Sequence, residues 1–280
     1  MSIYLATFVV VKNDTTNMCQ LAAEGTVDWL RGKCCAVVGF GVDAPLESEL
    51  SSALEARGAI VVVVSDPQSP FNADGELDKA FAGVDFLFFV GRYISFARHD
   101  RQVVWQMNVD AEKSVYLAAE NSGIKRIVHL SSVFALGHNL DHSPVDGSTP
   151  YLSDDQRSVC ERSLFRQEME AWCMAERGIG VSVVCGGLSV GSCSQYIDVA
   201  PYAHAFSSPK RLAKALVQAS SVDMIGKRLV SAGLADNDGC ASSEKRQSPI
   251  KSFIRNLFNI GGCRTAISAL SRLGSFESQL

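Results

Sequence analysis

The chain has 280 residues, of which 47% are hydrophobic and 20% are charged, and its formal net charge is −4. This composition allows a large buried core, and the weakly acidic balance gives no global attraction for nucleic acid. The nine cysteines show neither Cys-x-x-Cys nor Cys/His ligand spacing, which argues against a disulfide framework or a zinc site. We therefore expect free thiols in a reducing intracellular compartment, with mitochondrion and cytoplasm both left open.

Residues 1–33 precede the first strong strand pattern and are predicted to form an N-terminal extension. Residues 1–12 are apolar, but they lack a basic leader and are too short to span a bilayer, so we expect no secretion. Within this extension, residues 4–11 read Tyr-Leu-Ala-Thr-Phe-Val-Val-Val. Such a run is compatible with an extra edge strand, a docking arm or a partly ordered tail.

Four apolar runs rich in Val, Ile and Phe, the first at residues 35–40 and the last at 126–130, predict buried strands of a parallel sheet, and two further strand patterns follow them. Helical patterns separate them at residues 46–57, 76–81, 102–121 and 161–177, and Ser208 before Pro209 predicts the cap of a further helix. The predicted strands are residues 35–40, 59–64, 85–90, 126–130, 180–185 and 227–231. The alternation predicts a Rossmann-type, doubly wound α/β domain over residues 34–235.

Residues 236–280 differ in composition from this domain and are predicted to form a basic amphipathic tail. No acidic residue lies between Glu244 and Glu277, and apolar residues recur with helical spacing from Ile250 to Phe258. Two alternatives stay open for residues 249–273. They pack on the sheet as a terminal helix, or they contact a membrane surface or an acidic partner.

The turn after the first predicted strand is where this architecture binds a dinucleotide, because glycines let the backbone approach the pyrophosphate. In residues 39–47 the three glycine positions fall on Gly41, Ala44 and Glu47, so only the first is kept. Asp66, just past the second predicted strand, stands where an acid often binds the adenosine ribose. A turn-capping role before a proline is an equal alternative for this aspartate.

Several short sequence motifs occur in an order and spacing that resemble those of a known protein family. They are Arg57-Gly58, Ala-Gly-Val-Asp-Phe-Leu-Phe-Phe at 82–89, Asn-Val-Asp-Ala-Glu-Lys-Ser-Val-Tyr-Leu-Ala-Ala at 108–119, and Gly-Ile-Lys-Arg-Ile-Val-His-Leu-Ser-Ser-Val-Phe-Ala-Leu-Gly at 123–137. With them, residues 34–235 resemble the extended short-chain dehydrogenase/reductase superfamily. The resemblance is greatest to its 3β-hydroxysteroid dehydrogenase and NAD-dependent epimerase/dehydratase group.

The resemblance implies a Ser, a Tyr and a Lys that together move a proton during hydride transfer. It places the serine at Ser132, which is present, whereas the tyrosine is replaced by Cys160 and the lysine by Leu164. It also implies cofactor contacts at Gly39, Gly41, Asp66 and Asn108 if any NAD or NADP binding persists, which we expect to be weak or absent.

Two histidines, His138 and His142, fall in a polar loop at the expected mouth of the site, and we predict no metal site there. Only about twenty residues separate Gly191 from the helix after Pro209, which predicts a reduced substrate lobe.

The leading hypothesis is an inactive member of the superfamily that acts as a scaffold or subunit of a larger protein complex. The alternative is an active NAD(P)-dependent oxidoreductase on a hydroxysteroid, sterol or nucleotide-sugar substrate.

Overall fold

The computed structural model describes residues 28–40, 43–65, 75–136, 157–189 and 206–231. In chain order the elements are β1 (Cys34–Gly39), α1 (Ala44–Glu55), β2 (Ile60–Ser65), α2 (Glu76–Ala80), β3 (Phe86–Phe89), α3 (Arg101–Trp105), α4 (Ala111–Asn121), β4 (Arg126–Ser132), α5 (Val159–Glu176), β5 (Gly180–Gly186), β6 (Leu188–Ser189), β7 (Phe206–Ser207), α6 (Pro209–Ala219) and β8 (Arg228–Ser231). A π-helical turn, Gln106–Asp110, joins α3 to α4.

Six of these strands form one parallel sheet in the order β2-β1-β3-β4-β5-β8. Strands β6 and β7 form a separate pair. The chain leaves β1 toward β2 on one side and returns to β3 on the other, so the strand order reverses between β1 and β3. The predicted doubly wound parallel sheet is confirmed.

Helices cover both faces of the sheet, which explains the near-continuous apolar strands. On one face, α1 and α6 pack through Leu46, Leu50, Leu54 and Leu212. On the other, α2, α4 and α5 enclose a core that includes Phe89. Leu30, which precedes β1, is fully buried in the first of these cores.

Local signals account for the helix ends. Pro45 lies in the first turn of α1, where its missing N–H is tolerated, so this helix begins two residues before the predicted start. Ser158 and Glu161 form a capping box at the start of α5, and Ser208 accepts a hydrogen bond from Arg211 N at the start of α6. The other predicted boundaries agree with the observed ones to within two residues, but the single helix predicted over residues 102–121 is divided into α3, the π-helical turn and α4.

Strand β2 corrects the prediction that the apolar run at residues 59–64 is a buried strand. It lies at the edge of the sheet in the described part of the chain, and Ile60 and Val63 are 61% and 52% exposed. An apolar run in the sequence shows that these residues are hydrophobic, but it does not show how many other strands and helices pack against them. The predicted boundaries at residues 33 and 235 stay predictions.

Candidate functional site

The candidate site lies at the carboxyl edge of the sheet, between the ends of β1 and β3. In open α/β sheets this reversal of strand order creates a crevice in which ligands bind. Phe40 follows β1, Asp43 precedes α1, and Gly91 and Arg92 follow shortly after β3. These residues decide what the crevice can accept.

Gly39, at the end of β1, is in direct contact with the side chain of Glu47. A Cβ atom added to Gly39 would lie 2.0 Å from Glu47 Oε1 and 2.5 Å from its Cδ. Glu47 itself is buried, at 7% exposure, in the first turn of α1. The close approach that glycine permits at this turn is therefore used by the protein's own carboxyl group.

Arg92 joins the carboxyl ends of β4 and β5 to the start of α1. Its Nη1 donates to the carbonyl oxygens of Ser131, Gly186 and Gly187 at 3.2, 3.3 and 3.2 Å. Its Nη2 lies 4.0 Å from Oδ2 of Asp43, across the reversal point from β3 to the start of α1. Burial lowers the pKa of Arg92 to about 10, so the guanidinium stays charged at neutral pH.

Phe40 fills a further part of the crevice. A Cβ atom on Gly91 would lie 2.9 Å from Cζ of the Phe40 ring, so the ring rests on the backbone that follows β3. The ring also meets Phe89 edge to face, with centroids 5.9 Å apart. An aromatic ring, a carboxyl group and an ion pair thus occupy the reversal point together.

Ser132, the predicted catalytic serine, ends β4 and is fully buried. Its Oγ accepts a hydrogen bond of 3.3 Å from Phe134 N and caps the short 3-10 turn Val133–Ala135. This contact explains the hydroxyl residue at the strand end without reference to a substrate.

Cys160 and Leu164 lie near the start of α5, at 1% and 0% exposure. Burial raises the pKa of the Cys160 thiol to about 12, so the thiol keeps its proton at neutral pH. Leu164 offers only aliphatic atoms. The side chains at the two positions that the sequence resemblance gives to a proton donor and its cationic partner are thus a protonated thiol and an alkyl group.

Asn108, predicted as a cofactor contact, lies in the π turn with its side chain fully buried. Its Oδ1 accepts from Tyr93 N at 2.7 Å, and its Nδ2 donates to Tyr93 O and Ser163 Oγ at 2.8 and 2.9 Å. The side chain thereby ties the segment after β3 to α5, and its amide group is fully engaged within the protein. Gly41, Asp66, His138 and His142 lie outside the described residues.

A buried polar cluster behind the crevice was not predicted from the sequence. Tyr116 Oη and His129 Nδ1 are 2.7 Å apart, and Glu112 Oε1 lies 3.5 Å from the same nitrogen. Burial lowers the pKa of His129 to about 4 and raises the pKa of Glu112 well above its usual range. The available signal was a Glu and a Tyr four residues apart on the face of a helix whose other members are small and apolar.

A second buried charge lies beside β4 and β5. Ser131 Oγ donates to Glu168 Oε2 at 2.5 Å, Trp172 Nε1 donates to Oε1 at 3.2 Å, and Arg228 pairs with the same carboxylate. Although burial alone raises the pKa of Glu168, Arg228 and these donors lower it below its usual value. In the described segments, no group of three His, Cys, Asp or Glu side chains could hold a metal ion.

No protein-family profile matches the chain. A putative dihydroflavonol 4-reductase of Synechocystis is 28% identical over 118 residues, which is 42% of this chain and 34% of the relative. Sterol demethylase protein B of Methylococcus capsulatus is 29% identical over 120 residues, or 40% of this chain and 34% of the relative. The matched region therefore spans about a third of the length of these curated relatives.

Solved structures match over more of the chain. UDP-N-acetylglucosamine 4-epimerase from Bacillus cereus has a TM-score of 0.58 and 14% identity, with coverage of 81% of this chain and 86% of the epimerase. A short-chain dehydrogenase/reductase superfamily protein from Agrobacterium tumefaciens with bound NAD has a TM-score of 0.57 and 13% identity, with coverage of 71% and 77%. UDP-N-acetylglucosamine 4-epimerase from Methanobrevibacter ruminantium has a TM-score of 0.56 and 19% identity, with coverage of 72% of this chain and 77% of the epimerase.

None of the helices in the described ranges is both long and apolar enough to cross a membrane. The solved structures agree on the architecture, and the resemblance read from the sequence is confirmed at the level of the fold. This chain has a Rossmann-type fold similar to that of the epimerase and short-chain dehydrogenase/reductase structures.

Proposed function

We propose that this chain is a non-catalytic protein of the short-chain dehydrogenase/reductase fold that acts as a scaffold or subunit of a larger complex. The observation that carries the proposal is the pair Cys160 and Leu164, buried in α5 at the family's positions for the proton donor and its cationic partner. A thiol with a pKa of about 12 and an alkyl side chain cannot exchange a proton with a substrate oxygen at neutral pH. Ser132 alone would orient a carbonyl without completing the reaction.

The crevice supports the same proposal, because its residues fit a dinucleotide poorly. The Glu47 carboxyl lies on Gly39, where a pyrophosphate would approach the backbone, and a carboxylate repels a phosphate. The donors of Arg92 Nη1 are already shared among three carbonyl oxygens. We therefore infer that NAD or NADP binding is weak or absent.

Titration of the purified full-length chain with NADH and NADPH tests this inference. We expect no saturable change in cofactor fluorescence and no thermal stabilisation up to about 1 mM, a concentration that corresponds to a binding free energy of about −4 kcal/mol. Saturable binding in this range would refute the inference of lost nucleotide binding.

A restored variant makes the same experiment sharper. Ala44→Gly combined with Glu47→Gly returns the three-glycine pattern and removes the carboxyl from Gly39. We expect this variant to gain measurable NADH binding, whereas Ala44→Gly combined with Glu49→Gly, which changes an exposed glutamate of the same helix, should not. Equal behaviour of the two variants would show that Glu47 does not control access.

An active oxidoreductase is the second candidate function. Epimerases of UDP-N-acetylglucosamine and a sterol demethylase protein are among the similar proteins, which makes nucleotide sugars, sterols and hydroxysteroids the substrates to test. Turnover of any of these with NAD or NADP that collapses in Ser132→Ala would favour this candidate over the scaffold.

The scaffold proposal requires protein partners, and residues 249–273 are our candidate for a contact with an acidic partner or a membrane surface. These residues lie outside the described ones, so the proposal rests on their basic amphipathic sequence. Native purification followed by identification of copurifying proteins separates the two functions. A stable large assembly supports the scaffold, and a free monomer with turnover supports the enzyme.

A further inference from the structure

The outer edge of β2 lacks the features that normally protect a free strand. Its sequence, Ile-Val-Val-Val-Val-Ser, contains no charged residue, glycine or proline. Natural proteins blunt free edges with charges, prolines or a covering segment, because an exposed apolar strand invites pairing with other chains. The side chains of Ile60 and Val63, which point to the faces of the sheet, are also more than half exposed.

The hydrogen bonds of β2 show which of its backbone groups need partners. Ile60 N donates to Lys33 O at 2.8 Å, toward β1. Because backbone groups along a strand point alternately to the two sides, the N–H groups of Val61, Val63 and Ser65 are directed away from β1. No described strand lies on that side.

Two stretches of the sequence are near enough along the chain to be considered as covers. Residues 66–74 follow β2 directly, but they contain Pro67 and Pro70, and each proline removes a backbone donor from a regular strand. Six of the eight residues at positions 4–11 are β-branched or aromatic, and none is proline or glycine. Their length also suits the six residues of β2.

The described chain begins beside the turn that leads into β2. Asp28 pairs with Arg57 at 3.5 Å, the Arg57 guanidinium lies 5.4 Å from the centre of the Trp29 ring, and Gly32 N donates to Gly58 O at 2.8 Å. These contacts hold residues 28–33 against the start of the strand. On its other side, Trp29 Nε1 donates to Ser220 Oγ at 2.9 Å, so the described chain begins between the ends of α1 and α6, at the end of the sheet where β2 starts.

The connecting residues are long enough to allow pairing in either direction. Residues 12–27 reach about 50 Å when extended, whereas β2 is about 20 Å long. Such a tether also keeps the segment near the edge at an effective concentration of about 1 mM, which favours it over a partner in solution.

We propose that residues 4–11 pair with the outer edge of β2 as a seventh strand of the sheet. The added strand would supply partners for the outward N–H groups of Val61 and Val63 and cover part of the exposed side chains of Ile60 and Val63. This pairing is independent of whether the crevice binds a nucleotide.

Residue-resolved amide hydrogen exchange on the full-length monomer tests the proposal. We expect the amides of Val61 and Val63 to exchange about 100-fold more slowly than in the variant Thr7→Pro/Val10→Pro. The two positions have opposite parity, so one of the prolines removes a donor that faces β2 in any register. Asn13→Pro/Thr16→Pro, in the connecting residues, is the matched control and should keep the protection.

Three results would overturn the proposal: fast exchange at Val61 and Val63 in the unaltered chain, protection that survives the first proline pair, or protection that rises with protein concentration. The last result would assign the edge to a second copy. As a measurement that does not disturb the segment, p-benzoylphenylalanine in place of Phe8 should crosslink within one chain to residues 59–65. An intramolecular crosslink elsewhere would also contradict the pairing.

Discussion

The contact between Gly39 and Glu47 predicts a reversal in the effect of one substitution. A Cβ atom at position 39 would lie 2.0 Å from Glu47 Oε1, so Gly39→Ala must displace the buried carboxyl group from its site. Small-to-large changes in a filled space cost about 1–3 kcal/mol. We expect Gly39→Ala to destabilise the unaltered chain by about this amount, or about 2–12 °C in Tm for a domain of this size.

The same substitution should become favourable once the glutamate is removed. In the Glu47→Ala background the space above Gly39 is empty, and an alanine in a strand is about 0.5–1 kcal/mol better than a glycine. The coupling between the two positions is then about 2 kcal/mol or more. Urea unfolding of the four proteins of the double-mutant cycle measures it directly.

The control is a second double-mutant cycle in which Glu49→Ala takes the place of Glu47→Ala. Glu49 is exposed on the same helix. Gly39→Ala should cost the same with or without Glu49→Ala. If the Gly39–Glu47 coupling is below about 0.5 kcal/mol, the carboxyl does not rest on the glycine in solution, and the physical argument against phosphate binding fails with it.

Three further predictions follow from buried polar groups. Asn108→Ala should destabilise the fold by about 2–5 kcal/mol in urea unfolding, because its three hydrogen bonds are lost and their partners stay buried; a cost below about 1 kcal/mol would contradict this. Brief iodoacetamide labelling at pH 8 should modify the exposed Cys173 and spare Cys160, and peptide mapping that finds Cys160 labelled first would refute the assigned burial. Glu112→Gln should stabilise the chain at pH 7, because burial raises the folded pKa of Glu112 and stability is therefore lost as the pH rises above the unfolded value. This gain should disappear below about pH 4, where the carboxyl is protonated in both states, and a gain independent of pH would argue against a buried neutral carboxyl.

The sheet and its helices could be predicted from the sequence because their signals are local. A run of β-branched residues predicts a strand, and Ser208 predicts a helix start through a hydrogen bond made within three residues. The exposure of β2 could not be predicted in this way. Whether Ile60 is covered depends on which elements the chain places beside it, and hydrophobic content does not record that.

The site was predictable only in part, for the same reason. The altered motif positions Cys160, Leu164 and Glu47 are visible as letters, but the role of Arg92 depends on three carbonyl groups that the fold brings together from β4 and the end of β5. A charged residue two positions after a buried strand is ordinary in sequence. For Asn108 the sequence predicted a cofactor contact, but its side chain is fully buried and bonded to Tyr93 and Ser163.

The Arg92–Asp43 pair has a consequence for how the protein is maintained in the cell. A protein whose crevice is completed by a dinucleotide gains stability as the logarithm of the dinucleotide concentration, so its abundance follows metabolic state. Under the proposed loss of nucleotide binding, a chain that bridges the same crevice with its own charges has no such dependence. The proposal then implies a folded population that stays constant through redox and nutritional changes, as a subunit present in fixed proportion to others requires.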